Sequence, residues 1–131
     1  MKNKIAIVTG GAGFIGSHMV DLLISKKYKV HVIDNLSGGH KKNLSHHKKN
    51  SLLKFEKIDI RNLKKNHSFF KNADFVFHFA GIGDIVPSIE NPVNYMETNI
   101  QGTIRVLEAS RYNNIKKFVY SASASCYGLN A

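Results

Sequence analysis

The sequence predicts an α/β domain: a doubly wound parallel sheet of five strands, incomplete at its far edge. Three observations carry that prediction. Five short apolar runs, rich in β-branched residues, alternate with helical or polar stretches, and parallel strands need such crossovers between them. The first run ends in closely spaced glycines, "IAIVTGGAGFIGSH", and the second ends in an aspartate, "VHVIDN". The fourth, "DFVFHFA", is too continuously apolar for a sheet wet on one face.

Each element has its own justification. Residues 4–9 are a β-branched run closed by glycine, a buried strand. Across residues 14–25 apolar side chains fall at 15, 19, 20, 22, 23 and 24, the spacing of a helix with a wide apolar face. Residues 29–34 are the second strand. Residues 35–51 are polar, basic and glycine-containing, a loop with room for a short helical turn. Residues 53–60 alternate into a third strand, 63–70 read as a short helix, and 74–80 are the fourth strand. Asn91-Pro92 opens the longest helix, because Asn caps well and Pro suits the first helical position. That helix runs to about residue 112, with Val93, Met96, Ile100, Ile104 and Leu107 on one stripe, and Asn113-Asn114 ends it. Residues 117–122 are the fifth strand.

Bulk properties narrow the class. A chain of 131 residues with an apolar fraction of 43% suffices for one domain with a real core. The single cysteine, Cys126, excludes an internal disulfide and suits a reducing, cytoplasmic compartment. "MKNK" before "IAIV" imitates a secretory leader, but the glycines, His18 and Asp21 break the apolar run at once. No run is long enough to span a membrane as a helix, and no membrane partner is expected. The net charge of +10 comes from scattered lysine pairs without interleaved exposed aromatics. Solvated surface is the reading, with no nucleic-acid partner.

The glycines and the aspartate form a constellation. Gly10-Gly11-Ala12-Gly13-Phe14-Ile15-Gly16 follows a strand and opens a helix. Such a turn lets backbone approach a pyrophosphate without a Cβ in the way, and the N–H groups at the helix start face the phosphates. Asp34 follows at the end of strand two, placed to accept hydrogen bonds from the adenosine ribose hydroxyls and to repel a 2′-phosphate. The cofactor expected is therefore NAD rather than NADP.

Together with "DNLSGG", "DIRN", "FHFAG", "NPVNYMETNIQGTIRVLEASR" and "KFVYSASASCYG", this run resembles the extended short-chain dehydrogenases/reductases. Within them it is most like the NAD-dependent epimerase/dehydratase family and its UDP-glucose 4-epimerases. The resemblance implies a Rossmann fold and assigns roles by position. Gly10, Gly13 and Gly16 would shape the turn, and Phe14 and Ile15 would give N–H groups to the pyrophosphate. Asp34 and Asn35 would hold the ribose, with Leu36, Ser37, Gly38 and Gly39 close by. Asp59 and Ile60 would flank the adenine, the Asp59 carboxylate reaching its amino group. Phe79, Ala80 and Gly81 would line the cofactor, Asn99 would support the catalytic end, and Ser121 would lie near the nicotinamide. Ser123 matches the family's active-site Ser/Thr.

The implied reaction is transient oxidation of a nucleotide sugar, a UDP-sugar, at C4, followed by hydride return to the other face. Where the family's dehydratases carry an Asp-Glu pair this chain has Ala124 and Ser125, which disfavours elimination of water. Gly83 departs from the lysine that several 4-epimerases carry two residues after "FAG". The family's base is a tyrosine in Tyr-x-x-x-Lys beyond the Ser/Thr position; Tyr127 has Ala131 where the lysine would stand. Residues 1–131 therefore read as the N-terminal, NAD-binding portion, inactive alone and lacking the C-terminal substrate domain. The resemblance also implies a homodimer through the long helix. The alternatives are a non-catalytic dinucleotide-binding module, or a dehydratase or reductase of the same family.

Two further patterns invite other readings. Tyr112 and Lys116 match Tyr-x-x-x-Lys literally but straddle a helix end, which argues for a surface terminus. His40, His46 and His47 share one loop with no cysteine or carboxylate at ligand spacing, so no metal is expected. His78, in an apolar strand, reads as a satisfied core histidine.

Overall fold

The structure is a computed structural model and describes residues 3–128. Ala131 lies outside the described residues, as do the side chains of Ala124 and Ser125. Five parallel strands form one sheet: β1 (Ile5–Thr9), β2 (Lys29–Asp34), β3 (Leu53–Lys57), β4 (Phe75–His78) and β5 (Lys117–Tyr120), in the order β3-β2-β1-β4-β5. β1 is central, pairing Ile5 with Lys29 on one side and Ala6 with Phe75 on the other. The chain first builds β2 and β3 outward from β1, then returns to build β4 and β5 on the opposite side. The reversal falls between β1 and β4, and such a switch point leaves a crevice at the carboxyl ends of the strands.

Both faces of the sheet are covered at the central strands, where successive residues of β1 point to opposite sides. Ala6 and Val8 pack with Val30 and Val32 against Val20, Leu23 and Ile24 of α1 (Phe14–Ser25). Ile7 and Ile33 pack on the other face with Val76, Phe70, Val106 and Ala109. Each fully buried Ile, Val or Phe contributes about 1.5–3 kcal/mol of transfer free energy.

Beyond β4 come α2 (Ile85–Glu90) and α3 (Pro92–Met96), then a π-helical stretch at Glu97–Gly102 that continues into α4 (Thr103–Tyr112). The Asn91 side chain accepts from the Asn94 N–H, so the predicted cap and proline start are in place. The face that α4 buries is its small one. Val106, Ala109 and Ser110 are buried, while Val93, Met96, Ile100, Ile104 and Leu107 stay 44–65% exposed. The apolar stripe predicted for this helix therefore faces away from the sheet.

Two predicted elements differ most, and one helix was not predicted. The third strand ends at Lys57 rather than residue 60, because Asp59 caps a 3-10 turn (Ile60–Asn62) by accepting from the Arg61 N–H. The helix expected over 63–70 is absent. Leu63 is extended, and a 3-10 turn at Ser68–Phe70 follows a His67 side chain that accepts from the Phe69 N–H. That local bond competes with helix, and Leu63 and Phe70 reach the core from either end of the segment instead. α2, missed in the sequence, carries Pro87 in its first turn, where a missing N–H costs nothing.

Candidate functional site

Two adjoining clefts, of about 280 and 670 Å³, open at the carboxyl ends of β1 and β4 and share Gly10, Gly13, Phe79, Ala80, Gly81 and Ile82 as their common wall. The smaller runs toward β2, past Asp34, Asn35, Ser37, Gly38 and Gly39, to Ile60 and Arg61. The larger runs along the start of α1, past Phe14, Ile15 and Gly16, to Asn99, Tyr120, Ser121 and Ser123.

The glycine turn is built by close approach. Gly10 has φ +67°, and a Cβ there would lie 2.7 Å from the Ala80 nitrogen. A Cβ on Gly16 would collide with the Gly10 carbonyl. Any side chain at either position pushes β1, α1 and the segment after β4 apart. The first N–H groups of α1 have no intrahelical acceptor and carry the positive end of its dipole. Phe14 and Ile15, 80% and 60% exposed, hold that end at the cleft surface.

Asp34 is 6% exposed. Its Oδ2 accepts from the Ala12 N–H at 2.9 Å and its Oδ1 from the Leu36 N–H at 2.7 Å. The carboxylate thus ties the glycine turn to the loop after β2. A carboxylate offers about four acceptor sites, so each oxygen keeps capacity toward the cleft. This acceptor pair fits the two hydroxyl donors of a vicinal diol.

Asp59 is placed differently. Its oxygens accept from the Arg61 N–H (2.9 Å), Nε (3.0 Å) and a terminal guanidinium nitrogen (2.8 Å), and from Asn35 Nδ2 (3.0 Å). The Arg61 hydrogen bonds hold its carboxyl down at about 2. Four donors fill the acceptor capacity, so an adenine amino group would have to displace one. Asp59 does not line either cleft, whereas Arg61 does. Arg61 also donates to Asn94 Oδ1 at 2.8 Å. Sequence reasoning missed Arg61; the signal was its place two residues after Asp59, where a guanidinium can fold back on the carboxylate. Leu36 also leaves the cleft, its side chain packing on the α1-side core from a backbone at φ 64°.

At the other end, Asn99 clamps the segment after β4. Its Oδ1 accepts from the Ile82 N–H at 2.8 Å and its Nδ2 donates to the Ile82 carbonyl at 2.9 Å. Asn99 sits in the π-helical stretch, a feature that recurs at functional sites. His78, 1% exposed, is satisfied on both nitrogens, Nδ1 by Thr9 Oγ1 at 2.6 Å and Nε2 by Thr103 Oγ1 at 2.9 Å. Burial pushes its pKa down to about 4, so the ring is neutral. Ser121 and Ser123 are exposed and line the larger cleft.

The Tyr112–Lys116 pair is split. Lys116 Nζ bonds Asp74 Oδ1 at 2.6 Å, while the Tyr112 ring lies under Lys65. The loop histidines correct an expectation: a carboxylate does join two of them, because Asp21 of α1 reaches both His46 and His47.

Known proteins resemble this arrangement. The NAD dependent epimerase/dehydratase family matches over residues 6–131. A putative UDP-glucose 4-epimerase of Methanocaldococcus jannaschii is 41% identical over 124 residues, covering 93% of this chain and 39% of that one. The UDP-N-acetylglucosamine 4-epimerase of Methanobrevibacter ruminantium, solved with UDP-N-acetylmuramic acid, superposes with a TM-score of 0.89 at 40% identity, covering 98% of this chain and 40% of that one. The UDP-glucose 4-epimerase of Thermus thermophilus, solved with NAD, gives 0.78 at 33% identity, covering 91% and 37%. This chain thus spans about two fifths of the length of these three proteins.

Proposed function

The chain belongs to the NAD dependent epimerase/dehydratase family, and from that premise we propose that it binds NAD along the two clefts as the cofactor-binding portion of a nucleotide-sugar 4-epimerase. The observation that carries the reading is the Asp34 carboxylate, which bonds the glycine turn on one side and lines the smaller cleft on the other. A diphosphate at the start of α1 and a ribose diol at Asp34 then lie on one continuous wall. Adenine falls beyond, between Ile60 and the Arg61 guanidinium, with Asp59 holding Arg61 in place rather than reading the base. The negative charge of Asp34 disfavours a 2′-phosphate, so NAD is preferred to NADP.

Bound NAD+ supplies reversible hydride acceptance; the protein positions and polarises. Gly10 and Gly16 let the backbone close on the diphosphate. Asn99 fixes Ile82 and so the wall at the nicotinamide end. Ser121 lies beside that end, and Ser123 is the group that donates a hydrogen bond to the reacting sugar oxygen. Alanine and serine at 124 and 125 offer no acid or base for elimination, which supports epimerisation over dehydration. The substrate class is a UDP-hexose reacting at C4.

Among the described residues no helix is long and apolar enough to cross a membrane. A cytoplasmic protein is the reading that suits a lone, exposed cysteine. The exposed stripe from Val93 to Leu107 is the face through which two subunits would pair. The test is calorimetric titration with NAD and NADP. One NAD per chain with weaker NADP supports the reading, and a folded chain that binds neither overturns it. NAD binding by a longer chain that leaves UDP-glucose and UDP-N-acetylglucosamine unchanged reduces the protein to a dinucleotide-binding module.

A further inference from the structure

Away from the clefts, three side chains from two elements converge on one point. Asp21 lies on the outer face of α1, and His46 and His47 end the 3-10 turn Lys41–His47. His46 Nε2 is 2.8 Å and His47 Nε2 2.7 Å from the same oxygen, Asp21 Oδ1. The two imidazole centroids are 4.1 Å apart. Adjacent residues of a 3-10 turn point about 120° apart, so convergence of both rings on one oxygen is not what a surface turn does by default. The ligand atoms of all three residues lie within 4.8 Å of one another.

We propose that Asp21, His46 and His47 form a binding site for a divalent transition-metal ion of the zinc class, and that the ion staples the turn to α1. Two imidazole nitrogens and one carboxylate oxygen select borderline ions such as Zn²⁺, whereas Mg²⁺ and Ca²⁺ take oxygen-rich sets. Zinc–ligand bonds of about 2.0–2.2 Å place tetrahedral ligand atoms roughly 3.4 Å apart, so each imidazole nitrogen need draw back from Asp21 Oδ1 by only a fraction of an ångström. Each ring binds as neutral imidazole with its N–H moved to Nδ1, and the carboxylate is already ionised, its pKa held down against partial burial by the two histidines. Asp21 and His46 are 40% and 53% exposed, which leaves the remaining coordination to water. Lys41, Lys42, Lys48 and Lys49 surround the segment and weaken the site by like charge, which sets it below a closed structural zinc site in affinity.

The staple acts on the wall of the smaller cleft. The His40 N–H and Asn43 Nδ2 both donate to the Ala12 carbonyl, at 2.9 and 2.8 Å. A metal that ties His46 and His47 to α1 closes the segment carrying Ser37, Gly38 and Gly39 at its far end. None of this depends on the cofactor reading.

The experiment is calorimetric titration of the chelator-treated full chain carrying Cys126→Ser, which removes the exposed thiol as a competitor. ZnCl₂ should bind one ion per chain, MgCl₂ none, and Asp21→Asn and His46→Ala should each weaken Zn²⁺ at least about tenfold. Zinc should also slow amide hydrogen exchange at Asn43 and Lys48. Both substitutions are at the surface, and circular dichroism checks that the variants are folded. No saturable zinc uptake, or uptake undiminished in both variants, overturns the site; unchanged exchange on zinc binding overturns the staple.

Discussion

Replacing Asp34 separates its two tasks, because one carboxylate holds the glycine turn and lines the cleft. Asp34→Ala leaves the Ala12 and Leu36 N–H groups without their acceptor at a position that is 6% exposed. A hydrogen bond to a charged group is worth about 1.5–3 kcal/mol, so the folded state, losing two, loses about 3–6 kcal/mol. For a domain of this size that lowers Tm by roughly 10–20 °C. Asp34→Asn keeps the shape but turns one acceptor into an NH₂ that faces an N–H. It loses one bond rather than two, about 1–3 kcal/mol, and lies between parent and alanine in Tm. In calorimetry below the lowered Tm, Asn should weaken NAD about 10- to 100-fold, the equivalent of about one charge-assisted bond to the ribose. NADP should change less, since the repulsion of its 2′-phosphate is relieved as contacts are lost. An Asn variant with parental Tm and parental NAD affinity would refute both the turn and the ribose roles of this carboxylate.

Three further outcomes follow from the structure. The folded His78 takes a proton only below about pH 4, whereas the ordinary value is 6.5, so between the two the unfolded chain holds more protons and stability falls as pH drops. The loss is about 3 kcal/mol over that window, and His31, also pushed down by burial, adds to it; His78→Gln should flatten the slope of urea midpoint against pH, and an unchanged slope would discard the assignment. Asp59, held at about 2, acts lower, its stabilisation being lost as pH falls from 3.8, and Arg61→Ala should move that acid limb upward in the same assay. Gly10→Ala, which forces a Cβ against Ala80 at positive φ, should cost several kcal/mol and NAD binding. Gly38→Ala, where a Cβ meets nothing within 4 Å, should stay within about 0.5 kcal/mol of the parent in chemical denaturation, and equal effects at the two glycines would contradict the turn geometry.

The parts legible in the sequence are those whose chemistry is local. The glycine turn, α1 with its bounds at Phe14 and Ser25, and the Asn91-Pro92 start each follow from spacing or from one residue's backbone preference. What was illegible depends on partners distant in the chain. The 63–70 segment has helical spacing, yet the His67 side chain and the pull of Leu63 and Phe70 into the core decide against a helix. The stripe on the long helix has the right period but the wrong partner, because the sheet accepts only the small face of Val106, Ala109 and Ser110. Asp59 shows the same limit within the site: its neighbour Arg61 was in view, but the folding back of that guanidinium, with Asn35 arriving from β2, was not.

The largest gap is the polar path through the sheet, and proton accounting shows why it matters. Thr103 Oγ1 donates to the Asn99 carbonyl at 2.7 Å, so toward His78 it can only accept, and the His78 proton sits on Nε2. Nδ1 must then accept, from the Thr9 hydroxyl, whose oxygen in turn accepts from the Ala80 N–H at 3.3 Å. Every bond runs in one direction, from the segment after β4 through β1 and β4 to the π-helical stretch. Asn99 closes the circuit by clamping Ile82 with its side chain. The wall shared by the two clefts is therefore held at Ala80 and at Ile82 by one connected set of bonds, and that set is complete only while His78 is neutral. Protonation places a second N–H on the ring, facing a Thr9 hydroxyl that must give up its own donation and accept from two sides. The same event that lowers stability in acid thus loosens the shared wall of the two clefts at its midpoint rather than its rim.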